Sequence, residues 1–322
     1  MEKILDSISH LGEEDELTYD QLKELVFSKH NLTDFEKYIY FRTLNVTYFS
    51  QTNYDTREVL AIRDIATMDR SERPSISLME KGYFHLFDHL TEDLNVKFNT
   101  TILKIDRNDD NVTVFDSDGN SYTADHVIST IPLAVMQSGL VEFVQELSIE
   151  KQDLFEIVPV GVFNKVIVEF EEKFWGEEDG FQFYDTNGSP LDFGLSFEET
   201  VGKPIVIFPY SNDRYKSLGD YSLEQLKEYI TDNLHRHYPG KNIKIKAIKK
   251  SDWGNEIHSK GTFSCFYNGC VGEYFDMLSE PEGRLHFAGE HTQRGFNGRV
   301  RGAWMSGYRA ATEILNTLKN LC

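Results

Sequence analysis

The sequence predicts a mixed α/β or α+β protein, because strand patterns and helix patterns interleave along the chain. Three short segments alternate polar and apolar residues with the period of two that strands have: "VKFNTTILKIDR", "NVTVFDSDGNSYTA" and "HVISTIP". Amphipathic helical segments precede and follow them. Near the end of the chain, the apolar "RLHFA" predicts a last strand that leads into a C-terminal helix.

The N-terminal region is predicted to be mainly helical. Thr18 and Gln21 form a capping box ahead of an apolar stripe, so "TYDQLKELVFSKH" is predicted to be a helix. "FHLFDHL" predicts a helical turn after Gly82. Asp118 and Gly119 are the predicted turn of a β-hairpin.

The middle of the chain contains two apolar runs, "FNKVIVEF" and "PIVIFPY", which we predict to be buried strands. Lys165 is unusual in the first run. Ser222 and Gln225 form a second capping box and predict a helix through Leu226, Tyr229 and Leu234.

The C-terminal strand, turn and helix carry the main chemical signal. Glu290, at the end of the predicted strand, can accept hydrogen bonds from ligand hydroxyls, and the following helix N-terminus offers N–H groups and partial positive charge. Small residues on one predicted helix face allow close approach to a backbone or a flat ring. Tight packing against a neighbouring helix is the alternative. The small residues are Gly302, Ala303, Gly307, Ala310 and Ala311.

Composition limits the partners. Lys plus Arg number 33 and Asp plus Glu 53, so the net charge is −20, which favours a cationic partner over nucleic acid or anionic lipid. The sequence has neither a membrane-spanning apolar run nor a signal peptide pattern, which favours the cytoplasm without settling the compartment. The three cysteines lack zinc-site spacing, and His85 and His89 lack a third ligand, so we expect no metal.

The C-terminal segments "RLHFAGEHT" and "VRGAWMSGYRAATEIL" resemble the flavin-binding motif of the flavin-containing amine oxidase family, which includes monoamine and polyamine oxidases and the lysine-specific histone demethylase. Three upstream segments, "DGNSYTADHVISTIPLAVMQ", "VGVFNKVIVEFEEKFW" and "SDWG" with "GTFSCFYNG", are similar to other parts of the family sequence. The resemblance covers roughly residues 75 to 320. It implies FAD as cofactor and an amine as the small-molecule substrate, oxidised to an imine by hydride transfer to flavin N5 with formation of hydrogen peroxide.

The resemblance also implies individual roles. Lys165 matches the catalytic lysine that holds a water near flavin N5, with a lysine snorkelling from a strand end as the alternative. Trp253 matches the tryptophan that flanks the isoalloxazine, and Phe263 falls where the family often has a tyrosine of the aromatic cage that faces the flavin, so both are expected to bind substrate. Each alone could be a core aromatic. Cofactor contacts are implied for four residues: Gly289, Glu290, Val300 and Ala303.

Two departures from the family pattern stand out. Arg299 falls on the substrate side, where it would favour a carboxylate-bearing substrate if it points into the slot, and otherwise it faces solvent or pairs with an acidic neighbour. The second departure is larger: no G-x-G-x-x-G turn for the ADP part of FAD occurs in the sequence. Loss of the strand that carries this turn would leave an exposed edge on "RLHFA".

The resemblance divides the chain into four alternating segments. Residues 1–80 and 162–268 are the expected helical and sheet parts of the substrate-binding domain, and residues 81–161 and 269–322 are the expected parts of a partial, Rossmann-like FAD-binding domain. Three functions stay open: a fragment or subunit of an amine oxidase, with a second chain supplying the ADP-binding segment; a cofactor-free binding or regulatory protein; and a flavoprotein with desaturase-type chemistry, which Lys165 and "AGEHT" disfavour.

Overall fold

The computed structural model describes residues 16–34, 36–37, 59–61, 82–177, 180–182, 193–211, 218–265 and 272–320, together with Ser7 and His10. Most of the segment 1–80, predicted to be helical, lies outside these residues. Helices and strands interleave within the described part, which confirms the mixed fold class. The division into four domain segments stays a prediction.

The helices of the described residues are α1 (Tyr19–Lys29), α2 (Tyr83–Leu90), α3 (Leu133–Gln137), α4 (Ile149–Ile157), α5 (Glu198–Val201), α6 (Leu223–His237), α7 (Gly272–Ser279) and α8 (Val300–Asn320). The strands are β1 (Glu16–Thr18), β2 (Val59–Ala61), β3 (Ile102–Arg107), β4 (Val112–Asp116), β5 (Ser121–Ala124), β6 (Val127–Ser129), β7 (Glu142–Phe143), β8 (Val160–Gly161), β9 (Phe163–Phe170), β10 (Gly180–Gln182), β11 (Phe193–Ser196), β12 (Ile205–Ser211), β13 (Ile245–Lys250), β14 (Phe263–Ser264) and β15 (Leu285–Phe287). Glu290–Thr292 form a single 3-10 turn.

The largest sheet has five strands in the order β10-β11-β12-β9-β13, each antiparallel to its neighbour. Helix α6 packs on one face through Leu226, Ile230 and Leu234, which are buried in one core with the inward side chains of β9 and β12. Ser222 accepts from the Gln225 amide and Gln225 reaches back to the Ser222 amide, so the predicted capping box of α6 is confirmed.

A second core lies among β3, β4, β15 and the helices α3, α4 and α7. The predicted hairpin joins β4 to β5, with Gly119 at a φ of 85° in its turn. Strands β6 and β15 run parallel, with Leu285 opposite Val127 and Phe287 opposite Ser129. Their carboxyl ends therefore meet next to the 3-10 turn and α8.

Two details differ from the sequence prediction. Strand β9 is buried on one face only, because its inward residues pack on α6 and the outward Ile167 is 37% exposed. The small residues of α8 do not form one buried face: Gly302, Ser306 and Ala310 are buried, whereas Ala303 and Ala311 are exposed. The open edge of β15 stays a prediction: within the described residues β15 pairs with β6 on one side, and Leu285 also exchanges backbone hydrogen bonds with Glu282 in the preceding turn.

Candidate active site

Lys165 lies on β9, an interior strand of the five-stranded sheet, on the face turned away from the α6 core. The alternation of β9 places Asn164 and Val166 inward and Lys165 outward together with Phe163. The Lys165 Nζ atom lies 5.2 Å from the centre of the Phe163 ring. Burial lowers the pKa of the Lys165 amine from its ordinary value. The result is a half-buried amine over an aromatic face.

Phe263 continues this row of side chains towards α8. Strand β14 pairs with β8 so that Phe263 is opposite Gly161, and the Phe263 and Phe163 ring centres are 6.5 Å apart and tilted by 56°. A Cβ at Gly298, whose φ is 70°, would lie 3.1 Å from Cδ2 of Phe263. The row Lys165, Phe163, Phe263 therefore reaches the residue that lies two positions before the start of α8.

Glu290 ties three segments together. Its Oε1 accepts from the Ser264 amide at 2.9 Å, and its Oε2 accepts from Ser264 Oγ at 2.6 Å and from the Gly298 amide. A carboxylate has about four acceptor positions, so these contacts occupy most of its capacity. Glu290 thus holds β14 and the loop before α8 against the 3-10 turn.

Trp253 is positioned by a buried amide on β9. Asn164 is fully buried, and its Oδ1 accepts from Ser251 Oγ at 2.9 Å and from the Trp253 backbone N–H at 3.0 Å. The Trp253 side chain is 44% exposed. Sequence reasoning did not assign a role to Phe163, Asn164 or Ser264, although a polar Asn within an apolar strand is a recognisable signal.

Gly289 has a conformation that a side chain would disturb. Its φ is 133°, and a Cβ would lie 2.5 Å from Cε1 of the buried His291 ring. Its amide donates to Ser306 Oγ, and its carbonyl accepts from the amide and hydroxyl of Thr292. The turn after β15 is therefore tied to α8 through its backbone.

The N-terminus of α8 is open to solvent. Arg299, Val300 and Ala303 are all exposed, and the Ala303 amide makes an early intrahelical bond to the Arg299 carbonyl. A helix start favours negative charge because its first N–H groups point away from the helix. The Arg299 side chain is exposed and forms no ion pair with another described residue, and its role stays a prediction.

Residues 14–315 match the sequence model of the family described as flavin containing amine oxidoreductase. The chain belongs to this family. Its cofactor is FAD, as the flavin motif predicts.

The amine oxidase family members most similar in sequence include several plant enzymes. Polyamine oxidase 4 of Oryza sativa subsp. japonica is 28% identical over 73% of the chain and 48% of its own length. Polyamine oxidase 1 of Zea mays is 30% identical over 71% of the chain and 47% of its own length. Lysine-specific histone demethylase 1 homolog 1 of Arabidopsis thaliana is 29% identical over 74% of the chain and 29% of its own length. The chain spans about half the length of the polyamine oxidases that it matches.

A solved putrescine oxidase with bound putrescine has a similar fold. It superposes with a TM-score of 0.79 at 17% identity, covering 98% of this chain and 74% of the putrescine oxidase. At this identity the likeness concerns the fold alone.

The residues around the start of α8 fit the flavin end of FAD. A Cβ on Gly302 would overlap the Phe296 carbonyl, so this glycine lets α8 pack closely on the loop that precedes it. Val300 and Ala303 are exposed at a helix N-terminus, which suits an electron-rich ring edge. No helix in the described part of the chain is long and apolar enough to span a membrane. Among those same residues, no group of three or more His, Cys, Asp or Glu could hold a metal ion.

Proposed function

We propose that this chain carries the flavin-facing and amine-facing part of an FAD-dependent amine oxidase. The observation that carries the proposal is the row Lys165, Phe163, Phe263, which leads from the central sheet to the loop before α8. This row combines an amine of lowered pKa with an aromatic wall beside a helix N-terminus. Family membership and the polyamine oxidase relatives support the same reaction class.

The chemistry is oxidation of an amine to an imine, which water then hydrolyses. When bound, FAD would supply the two-electron oxidant: it would take up a hydride from the carbon next to the amine nitrogen, and oxygen would reoxidise it with formation of hydrogen peroxide. Lys165 holds a water at the reacting side. Trp253 and Phe263 line the slot, exclude water and favour the neutral amine over the ammonium form. The α8 N-terminus stabilises negative charge on the bound ring.

The substrate is a polyamine if the activity of the polyamine oxidase relatives extends to this chain. Arg299 offers the competing choice of a carboxylate-bearing amine, because an exposed guanidinium near the slot would repel a cation and pair with a carboxylate. Arg299→Ala separates the two: it should raise the KM of an amino acid far more than that of spermidine. Equal effects on both substrates would remove Arg299 from substrate selection.

The test of the proposed function is a visible absorption spectrum of the purified chain with added FAD, followed by peroxide assays against an amine panel. Flavin bands that stay after removal of excess FAD, with amine-dependent peroxide, support the proposal. A chain that binds no flavin under any condition supports the alternative, a cofactor-free binding or regulatory protein. The absence of a G-x-G-x-x-G turn from the sequence is the observation behind this alternative.

We propose in addition that a polypeptide segment outside these 322 residues supplies the ADP-binding part. Two apolar helix faces support this. On α8, Trp304 and Tyr308 are 64% and 76% exposed. On α2, Phe84 is 71% exposed, and none of the residues of this helix is buried. Exposed aromatic faces of this kind mark binding surfaces. The chain also spans only about half the length of its polyamine oxidase relatives.

A comparison of FAD with FMN tests the added segment, because FMN has the flavin ring and phosphate but no adenosine part. If adenosine is bound elsewhere, the chain alone should bind FAD and FMN within about threefold of each other. Adding the N-terminal half of a polyamine oxidase relative should then raise the preference for FAD. A strong preference for FAD by the chain alone would refute this added proposal and leave the amine oxidase function intact.

A further inference from the structure

A partly buried row of polar groups lies behind the turn that follows β15. His286 on β15 is 4% exposed, and its Nε2 lies 3.2 Å from Nδ1 of His126, the residue before β6. On the other side, its Nδ1 faces Glu313 Oε2 on α8 at 3.6 Å. The other nitrogen of His126 lies 3.4 Å from Arg284 Nη1. The four side chains therefore form a continuous row from β6 to α8.

The two ends of this row set the direction of its hydrogen bonds. Arg284 can only donate, so His126 Nε2 must accept and His126 Nδ1 must carry the hydrogen. That hydrogen points to His286 Nε2, which leaves the hydrogen of His286 on Nδ1, 3.6 Å from Glu313 Oε2, a distance that allows an electrostatic contact but is too long for a hydrogen bond. When each ring carries one hydrogen, both histidines therefore have a defined tautomer.

Arg309 connects the row to the turn. Its Nη1 donates to Glu313 Oε1 at 2.9 Å, and its Nη2 donates to the Phe287 carbonyl at 2.8 Å and to Thr292 Oγ1 at 3.1 Å. Phe287 and Thr292 flank Gly289 and Glu290, which the motif assigns to the cofactor. The orientation of one guanidinium thus depends on Glu313 and in turn holds both ends of the turn.

We propose that Arg309, Glu313 and the His126–His286 pair are positioning residues that hold the Phe287–Thr292 turn in its cofactor-binding form only while both histidines are neutral. A further proton has to enter at His126 Nε2 or His286 Nε2, the two nitrogens that accept. A proton on His126 Nε2 would face the N–H groups of Arg284, and a proton on His286 Nε2 would face the Nδ1–H of His126. In either case two hydrogen-bond donors oppose each other. The contact between these two groups is then lost, and the added positive charge lies near the Arg309 guanidinium, which it repels.

The charged groups around His286 allow this response. His126 and Arg284 face it from the β6 side, and Glu313 and Arg309 face it from α8. Burial lowers the pKa of His286, with Glu313 acting in the opposite direction. The row is therefore intact at neutral pH and is lost as the pH falls below the range in which a histidine ordinarily titrates.

The inference rests on the proposed function only in taking FAD as the ligand of the Phe287–Thr292 turn. Its test therefore measures the turn itself, without added FAD. Amide hydrogen exchange is measured by mass spectrometry on a peptide covering residues 286–293 from pH 7.5 to 5, corrected for the intrinsic exchange rate. In the wild-type chain the protection of this peptide should fall about tenfold as the pH falls. His286→Gln and His126→Gln should each abolish this dependence on pH, and Glu313→Gln should reduce protection at pH 7.5.

Glu228→Gln, at an exposed position on α6, is the matched control and should behave as the wild type. If the histidines had a purely structural role, their variants would lose protection at every pH and would still show the fall in protection between pH 7.5 and 5. Persistence of this pH-dependent fall in both histidine variants overturns the proposal, as does an equal fall in a wild-type peptide from α6. Two histidine variants are used so that poor folding of one leaves the other as the test.

Discussion

The amide oxygen of Asn164 accepts a hydrogen bond from the backbone N–H of Trp253, 3.0 Å away. Because Asn164 neighbours Lys165 on β9, one strand positions both the candidate catalytic amine and the loop that carries the candidate substrate aromatic. The two predicted residues are thus linked through the fully buried Asn164.

Asn164→Ala should destabilise the chain by about 1–3 kcal/mol, because it leaves the Trp253 amide and the Ser251 hydroxyl without their buried acceptor. Urea unfolding measures the change, and Trp fluorescence reports the loop. Asn255→Ala, at an exposed position of the same loop, should cost less than about 0.5 kcal/mol. Similar losses for the two variants would contradict this positioning role.

Lys165→Met should reduce amine-dependent peroxide formation by at least about tenfold while changing stability little, since the amine is half-buried over Phe163. Lys249→Met on the neighbouring strand β13 is the matched control, because Lys249 pairs with Ile167 and is exposed. Steady-state kinetics with spermidine compare the two. Unchanged kcat in the Lys165 variant would leave the lysine as a snorkelling side chain.

Gly302→Ala should destabilise the chain by more than about 2 kcal/mol, because the new Cβ would overlap the Phe296 carbonyl. Gly307→Ala lies on the same helix with no atom within 4 Å of the new Cβ, so it should stabilise by about 0.5–1 kcal/mol. Thermal unfolding of both variants checks the pair. A destabilised Gly307 variant would show that α8 packs differently.

Lys151 gives a prediction on the dependence of stability on pH. It is 3% exposed, donates to the Met277 and Leu278 carbonyls at the end of α7, and burial lowers its pKa to about 8. Between pH 8 and the ordinary lysine pKa of about 10.4, the unfolded chain binds more protons, so this group makes stability rise with pH.

The measurement for Lys151 is the free energy of unfolding in urea from pH 7.5 to 10. Lys151→Met should flatten the slope relative to the wild type, whereas Lys241→Met, at an exposed lysine, should retain it. A parallel slope in the Lys151 variant would mean that other groups set the alkaline behaviour.

The sequence predicted local features well where one short pattern decides the structure. The capping box at Ser222 and the turn at Gly119 depend on neighbouring residues only, and both are confirmed. The exposure of Ala303 and the one-sided burial of β9 could not be predicted in this way, because burial depends on which distant element packs against a face.

In the candidate site, too, local motifs were predictable and contacts between distant elements were not. The motif predicted roles for Glu290 and Lys165, but the carboxylate contacts to Ser264 and Gly298 require the pairing of β14 with β8. The roles of all eight site residues stay predictions, to be tested with bound flavin: Lys165, Trp253, Phe263, Gly289, Glu290, Arg299, Val300 and Ala303. The contact between His126 and His286 was beyond sequence reasoning, since the two residues are 160 positions apart.

The parallel pairing of β6 with β15 also constrains how the chain folds. The pair closes a loop of more than 150 residues, so β15 can join β6 only after nearly the whole chain has been synthesised. Until then β6 and the apolar face of β3 and β4 have no C-terminal strand or helix to pack on. Contacts of such long range slow folding, and we expect refolding of this region to be the step most prone to aggregation.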